Sequence, residues 1–287
     1  MLPTRSQDWI ALLQKLADRA DGVTMRHFGS PALAIIRKPD GSPVTEADLE
    51  VEREVETLVR ELAPGLGVLG EEYGDRPGTG AARVIIDPID ATLNFIRGDP
   101  VFATLLAVQV EGEVVAGLAS APAMRRRWWA ARGCGAWRDG QPTHVSNCGE
   151  LAAARLFCGT PSDATMRRCY AGFGALLRAT HPEPEVGDFL QHLRVAEGLG
   201  EIAIDLEVAP WDIAALKIIV EEAGGSATAA DGRGTLHGGT LVSTNGRLHS
   251  RVLSFLEREP AQAARPVPLE AVAASSLRDA QSHSGAR

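Results

Sequence analysis

Cysteine is scarce in this chain and never paired at chelating distance. Cys134, Cys148, Cys158 and Cys169 are its four cysteines, and no two of them form a CxxC. In a chain of 287 residues that scatter argues for reduced, partly buried thiols rather than a disulfide frame or a zinc site. Long apolar runs are missing too. Arg5, Asp8, Lys15 and Asp18 break up Leu2–Ala20, which is too polar for a signal peptide or a membrane span. No later stretch is long enough to cross a bilayer, so no membrane partner is expected and a cytoplasmic location is the default. Basic residues are outnumbered, 29 against 37 acidic, for a formal net charge of −8. That balance argues against nucleic acid as a partner, because phosphate backbones are held by basic faces. A small phosphate substrate is not excluded, since a bound metal reverses the local sign. No internal repeat is visible.

In other respects the composition is that of an ordinary globular protein, 45% hydrophobic and 23% charged, at a length where one core begins to divide in two. Ser6 with Asp8 opens a helix whose apolar positions, Ile10, Leu13, Leu16, Ala17 and Ala20, recur at helical spacing. Arg37–Pro43 reads as loop from its Pro, Asp and Gly content. A second helix begins at Thr45, with Val51, Val55, Leu58, Val59 and Leu62 on its apolar face and a capping box in Thr45-Glu46-Ala47-Asp48. Strands follow at Leu66–Leu69 and Val84–Ile86. Then come a hairpin of Phe102–Val110 and Glu113–Ser120 turning at Glu111-Gly112, and a pair at Arg127–Ala131 and Gly133–Trp137 before an Asp139-Gly140 turn. These strands predict a largely antiparallel sheet with the first helices on one face.

Composition loosens around Val145–Glu150, and the domain boundary is placed there. Residues 1–148 are expected to form an N-terminal α+β domain, 149–258 a C-terminal α/β domain, and 259–287 a disordered tail. The second domain shows a strand at Leu156–Gly159, a helix at Ala164–Ala179 broken by His181-Pro182-Glu183-Pro184, a short helix at Phe189–Glu197 and a strand at Ile202–Ile204. Pro210-Trp211-Asp212 opens the clearest helix, with Ala215, Ile218, Ile219 and Ala223 inward and Gly224-Gly225 as its stop. A strand at Thr240–Ser243 follows. Asn245 caps a last helix carrying Val252, Leu253 and Leu256.

The strand Val84–Ile86 ends in two carboxylates, Asp87 and Asp90, separated by Pro88 and Ile89. Pro88 cannot continue a sheet ladder, so the chain is expected to leave the sheet there. Two carboxylates on a stiff turn suit a hard cation such as Mg2+, and the N–H groups of Ala91 and Thr92 would then face an anion held by it. A polar turn capping the strand would use the same residues. Glu71 at a strand end and Asp212 at a helix start are also aimed by rigid backbone, yet each is explained alone as a loop acid or a helix cap. Asp48 is explained in the same way by its capping box. Spacing alone does not show that these carboxylates meet.

Four motifs taken together resemble the inositol monophosphatase family: Lys38-Pro39-Asp40-Gly41-Ser42-Pro43-Val44-Thr45-Glu46-Ala47-Asp48, Gly70-Glu71-Glu72, Asp87-Pro88-Ile89-Asp90-Ala91-Thr92-Leu93-Asn94-Phe95, and Trp211-Asp212-Ile213-Ala214-Ala215 with Glu222-Ala223-Gly224-Gly225. They stand in family order and reach from about the first helix to the last. The resemblance implies an α/β fold, an α+β layered sandwich alternating helices and sheets as αβαβα. It implies a Mg2+-dependent, lithium-sensitive phosphomonoesterase, usually a homodimer, with two or three Mg2+ ions per active site. Glu71, Asp87 and the carbonyl of Ile89 would hold one metal, and Asp87, Asp90 and Asp212 the second. Thr92, with Glu71 or with Asp48 and Thr45, would orient the attacking water. The N–H groups of Ala91 and Thr92 would hold the phosphate for direct in-line attack without a covalent intermediate. Phosphatases of the haloacid-dehalogenase type, whose Asp nucleophile stands in a DxDx[TV] run, do not fit Asp87-Pro88-Ile89-Asp90. One departure concerns Ala91, where the family usually has Gly. A positive φ there would put activity at risk, but with every ligand-bearing residue retained a negative φ and a harmless Ala are expected.

Within that family, Ser120–Trp137, Asn94-Phe95-Ile96-Arg97-Gly98 and Gly187-Asp188-Phe189 look like the histidinol-phosphate phosphatases. L-Histidinol phosphate carries an ammonium and an imidazole, so acids facing the leaving group make physical sense. Asp188, Asp205 and Glu207 are the candidates, and Asp188 would serve equally as a helix N-cap. Pro184-Glu185 stands where inositol phosphatases show an Arg, and His192 where histidinol phosphatases often have Tyr. The expected reaction is Mg2+-dependent hydrolysis of L-histidinol phosphate to histidinol and phosphate, a step of histidine biosynthesis. Inositol-1-phosphate or another small phosphate monoester is the second reading. A weakly active, metal-binding regulatory relative is the third.

Overall fold

A computed structural model describes residues 6–39, 41–159, 172–184 and 188–256 of the chain. The fold starts with two amphipathic helices side by side. α1 (Ser6–His27) buries Leu13, Leu16, Ala17 and Ala20 on the expected stripe, joined by Trp9, Leu12 and Val23. α2 (Glu46–Leu62) follows its Thr45 cap and buries Val51, Val55 and Val59, whereas Leu62, assigned to the same face, is exposed at the last position. Both helices cover one face of an eight-stranded sheet. Its strands are β3 (Gly67–Gly70), β4 (Gly74–Arg76), β5 (Ala82–Asp90), β6 (Ala103–Val110), β7 (Glu113–Ala121), β8 (Arg126–Ala131), β9 (Ala136–Arg138) and β10 (Gln141–Thr143). They lie in the order β10-β9-β8-β7-β6-β5-β3-β4, and only β3–β5 is a parallel pair. The β6–β7 hairpin turns at Glu111 (φ 51°) and Gly112 (φ 85°), the two positive φ values that match a tight turn to strand twist.

Two local expectations are corrected. The chain does not leave the sheet at Pro88. Instead β5 runs on to Asp90, with Asp87 opposite Leu105 and Asp90 opposite Ala103. That is one extra residue on β5, a β-bulge, and a bulge is where a strand tolerates a proline without N–H. The Pro88 carbonyl is taken instead by Thr104 Oγ1, 2.8 Å away. Nor is Arg37–Pro43 all loop. Ile35–Arg37 (β1) and Pro43–Thr45 (β2) pair as a short antiparallel hairpin, whose connection is closed by the Lys38 N–H on the Ser42 carbonyl, 2.8 Å.

Alternation along β5 explains the layering. Val84 and Ile86 face α1 and α2, while Ile85 faces the opposite side, as in a strand covered on both faces. On that side lie α5 (Asp188–Ala196) and α6 (Pro210–Glu222). α6 buries Ile213, Ala214, Ala215, Leu216, Ile218, Ile219 and Val220, apolar on all sides because sheets cover it above and below. Each fully buried Leu, Ile or Val contributes about 1.5–3 kcal/mol. Gly117 on β7 lets α6 lie close, since a Cβ there would come within 2.6 Å of Ile218 Cγ2. The second sheet comprises β11 (Arg155–Cys158), β12 (His181–Pro182), β13 (Ile202–Asp205), β14 (Ser226–Thr228) and β15 (Leu241–Thr244), ordered β12-β11-β13-β15-β14. Its outer face packs on helical residues 172–179 (α4) and on α7 (His249–Leu256) through Phe173, Leu176 and Val252. The result is the expected α/β sandwich of alternating layers, αβαβα. The first part of the helix expected at Ala164–Ala179, Cys169, and the tail from residue 259 lie outside the described residues. Among the described residues no helix is long and apolar enough to cross a membrane.

Candidate active site

A cavity of about 920 Å³ opens where the ends of β3, β5 and β13 meet the starts of three helices. The stretch from β5 into α3 (Thr92–Arg97) contributes Asp87, Ile89, Asp90, Ala91 and Thr92; Glu71 enters from the end of β3. Asp188 and Asp212 stand in the first turns of α5 and α6, and Asp205 ends β13. Ser42 and Pro43 of the β1–β2 hairpin close one side. Residues from both halves of the chain thus line one space.

The β5–α3 turn is tightly specified. Thr92 Oγ1 donates to the Ile89 carbonyl at 3.0 Å, and the N–H groups of Asn94 and Phe95 bond the Ala91 carbonyl at 2.9 and 3.2 Å. Beneath it Phe102 packs on Phe28 and Phe95, with ring centroids 5.0 and 4.9 Å apart, around buried Ile89. Ala91 itself has φ 65° and ψ 48°, which overturns the negative φ expected for it. The bulged strand ends at Asp90 and α3 starts at Thr92, so the whole change of direction falls on Ala91, which makes it with a left-handed step. An L-residue pays about 1–2 kcal/mol for such a conformation. The step followed by helical Thr92 turns successive N–H groups to one side, the geometry of an anion-binding nest.

Electrostatically the cavity is a concentration of like charge. Asp87 is pushed well above the carboxylate range by burial, then by Glu71, Asp90, Asp212 and Asp48. Asp90 is raised by burial and by Asp188, Asp212, Asp205 and Glu71. Asp212 rises to about 7, chiefly by burial; the Ala209 N–H on its Oδ2 (2.7 Å) and a bond with Asp87 oppose the rise, and Glu71 adds to it. Asp87 Oδ1 is buried without a hydrogen-bond partner. An all-oxygen set, crowded, buried and partly unmatched, fits a hard divalent cation. Yet among the described residues no group of three or more His, Cys, Asp or Glu side chains stands ready to hold a metal. Glu71 Oε1 is instead turned to Lys38 Nζ at 2.6 Å, and Glu72 Oε1 takes the same ammonium at 2.7 Å. Burial alone would lower the Lys38 amine, but these two carboxylates hold it above its usual range.

The model of the inositol monophosphatase family matches residues 6–261. The chain belongs to the inositol monophosphatase family. It is accordingly a phosphomonoesterase, a hydrolase acting on small phosphate monoesters. A protein of Mycobacterium tuberculosis named histidinol-phosphatase is 44% identical over 256 residues, covering 88% of this chain and 98% of that protein. One of the same name from Streptomyces coelicolor is 40% identical over 260 residues, covering 88% and 97%. Among solved structures, an inositol monophosphatase from Anabaena (Nostoc) superposes with TM-score 0.79 at 27% identity, covering 91% of this chain and 100% of that one.

Thr45 and Asp48 do not line the cavity; they are buried behind it and closed on each other, with Thr45 N and Oγ1 2.8 and 2.5 Å from Asp48 Oδ2. Burial raises Asp48 to about 7, against those bonds. Glu207 lines the cavity with Asp188 and Asp205. Three contributors were given no role from the sequence: Lys38; Arg194, a wall residue stacked 5.5 Å over the Phe157 ring; and Glu52. Glu52 is fully buried, and its carboxylate accepts the N–H groups of Glu72 and Tyr73 at 2.8 and 2.9 Å. It thereby fixes the turn that carries Glu71. A lone acid on a helix face gave no local signal of that role.

Proposed function

We propose that the cavity hydrolyses L-histidinol phosphate to L-histidinol and phosphate with Mg2+ as cofactor. The observation that carries this reading is the set Asp188, Asp205 and Glu207, three further acids in a cavity that already holds the metal-type carboxylates. A neutral polyol could offer these acids only hydroxyl hydrogen bonds, whereas a leaving group bearing an ammonium and an imidazole would add charge-assisted ones. The kinship to proteins named histidinol-phosphatase supports the same substrate. Glu71, Asp87 and the Ile89 carbonyl would hold one Mg2+, and Asp87, Asp90 and Asp212 another. Bound there, the metal supplies neutralisation of phosphoryl charge and a more acidic water.

The chain's own groups do the rest. The Thr92 hydroxyl hydrogen is engaged by the Ile89 carbonyl, so its oxygen lone pairs are left to accept from a water. Glu71, not the closed Thr45–Asp48 pair, shares the cavity with Thr92 and would orient that water with it. The nest at Ala91 and Thr92 would take the phosphate oxygens. Asp188 and Asp205 would hold the leaving group. A cytoplasmic homodimer is the working form in this reading. Phosphate release in Mg2+ from histidinol phosphate, compared with inositol-1-phosphate, is the test. Histidinol phosphate turned over no faster than inositol-1-phosphate would remove the substrate assignment. Ala91 in the left-handed region favours one other reading, a weakly active metal-binding relative, which no turnover of any ester would support. Lithium should inhibit an active enzyme.

A further inference from the structure

Behind the cavity wall, two adjacent residues of α5 converge on one carboxylate. Gln191 Nε2 lies 2.6 Å from Asp205 Oδ1, and His192 Nε2 lies 2.9 Å from Asp205 Oδ2. Gln191 and His192 are fully buried, whereas Asp205 lines the cavity. The other ring nitrogen, His192 Nδ1, is 2.8 Å from Ser243 Oγ on β15, which is also fully buried. A carboxylate only accepts, so His192 Nε2 is the ring nitrogen that carries hydrogen toward Asp205, and the Ser243 hydroxyl steadies the ring from behind. Gly159 completes the enclosure: a Cβ there would stand 2.9 Å from Asp205 Oδ1.

A buried histidine satisfied on both nitrogens is ordinarily a packing residue. Two facts separate this one from that case. Its acceptor is a cavity acid rather than a core group, and both oxygens of that acid are bonded from inside the fold, which leaves one rotamer. In addition, Gln191 Oε1 is buried without a hydrogen-bond partner. The amide forgoes a bond on one side while keeping the bond to Asp205 on the other, and buried polar atoms seldom stay unmatched without a competing demand.

We propose that His192 is a positioning residue for leaving-group selection. Together with Gln191 it aims the Asp205 carboxylate at a cationic leaving group, and Ser243 sets the ring that does so. This inference rests on the substrate reading given above. Its test is the ratio of kcat/KM for histidinol phosphate to kcat/KM for glycerol 2-phosphate, whose leaving group is uncharged. His192→Phe, which removes both ring nitrogens, should lower that ratio roughly ten- to hundredfold, mainly through KM for histidinol phosphate. His192→Gln, which can place an amide N–H near the lost Nε2, should restore most of it. Ser243→Ala should shift the ratio in the same direction by less, and it keeps the test alive if His192→Phe does not fold. Equal losses on both esters would mark His192 as a packing residue and overturn the proposal. A preference present in the unmodified enzyme that survives both His192→Phe and Ser243→Ala would overturn the positioning role alone. An unmodified enzyme with no preference for the cationic ester would overturn the substrate reading and the proposal with it.

Discussion

Lys38 Nζ lies 2.6 Å from Glu71 Oε1, so an ammonium holds the carboxylate that a metal ion would need. The same ammonium reaches Glu72 at 2.7 Å, and Lys38 sits beside the turn of the β1–β2 hairpin. A metal ion drawn to Glu71 would therefore compete with an intramolecular cation for Oε1. Lys38→Met removes the competitor while keeping most of the stem, and the Mg2+ affinity of the metal-free protein should rise. A partly exposed ion pair of this kind is worth about 1 kcal/mol, which corresponds to roughly fivefold in Kd. Isothermal titration of Mg2+ checks it, and affinity equal to or weaker than that of the unmodified protein would show that Lys38 does not compete.

Asp90→Asn should abolish phosphate release while leaving the fold intact. Asp90 is buried and crowded by Asp188, Asp212, Asp205 and Glu71, so without metal the substitution removes an acid whose ionisation there is costly. The metal-free variant should melt at or above the temperature of the unmodified protein. Added Mg2+ should raise the melting temperature of the unmodified protein and do little for the variant. Calorimetry with and without chelator reads both, and near-normal turnover by the variant at saturating Mg2+ would refute the ligand assignment.

Ala91 gives an opposite pair of expectations. Ala91→Gly removes a Cβ from the left-handed region, relieving about 1–2 kcal/mol against about 0.5–1 kcal/mol of added chain entropy. The net gain should be between about 0 and about 1.5 kcal/mol, or a rise of up to roughly 3–6 °C in Tm. Inorganic phosphate should inhibit that variant more tightly, because the backbone can approach more closely. Ala91→Val should lose stability, since a β-branched residue fits this conformation worst. Equal melting temperatures for all three proteins would mean that the turn is not strained.

The parts of the molecule that were legible in the sequence are those whose cause is local. Thr45 and Asp48 announce a helix start because the bonds that cap it run within four residues. Glu111-Gly112 announces a hairpin because both positions must take positive φ. Pro88 misled because its tolerance depends on β6, a strand beginning beyond the next helix, which accommodates the bulge. Ile35–Arg37 pairs with Pro43–Thr45 over only three residues with both isoleucines exposed, so no alternation marks it. Ala91 misled for a tertiary reason too, since its φ is dictated by the strand-to-helix corner and not by its own side chain. That Glu71 and Asp212 share a cavity was reachable only through family resemblance. The grip of His192 on Asp205 was not reachable at all, because neither residue carries a local signature of it.

Gly70→Ala tests how the Glu71 turn is held. A Cβ at position 70 would stand 1.9 Å from Glu52 Oε1 and 2.2 Å from its Cδ. A flexible carboxylate could usually step aside, but this one is buried and bonded to two backbone N–H groups. Moving it frees both. The variant should lose about 1–3 kcal/mol of stability and bind Mg2+ more weakly, as Glu71 loses its fixed approach. A variant with unchanged melting temperature and unchanged Mg2+ affinity would show that Glu52 does not hold the turn.

Glu52 also sets a pH dependence whose sign is fixed. Burial pushes its carboxyl from 4.5 to about 7, against the Glu72 and Tyr73 N–H bonds and with help from the charges of Glu72 and Glu56. Burial likewise carries Asp48 from 3.8 to about 7. With the folded pKa above the unfolded one, the native state binds more protons between pH about 4 and about 7. The stability these groups contribute is complete below their unfolded pKa and is lost as pH rises through about 7. Glu50 and Asp231, whose pKa values are lowered, act in the opposite sense and only at the acid end. Chelator-treated protein should therefore melt at a lower temperature at pH 8 than at pH 5, and Glu52→Gln should flatten part of that slope. A melting temperature that climbs from pH 5 to pH 8 would show that these buried acids ionise without cost.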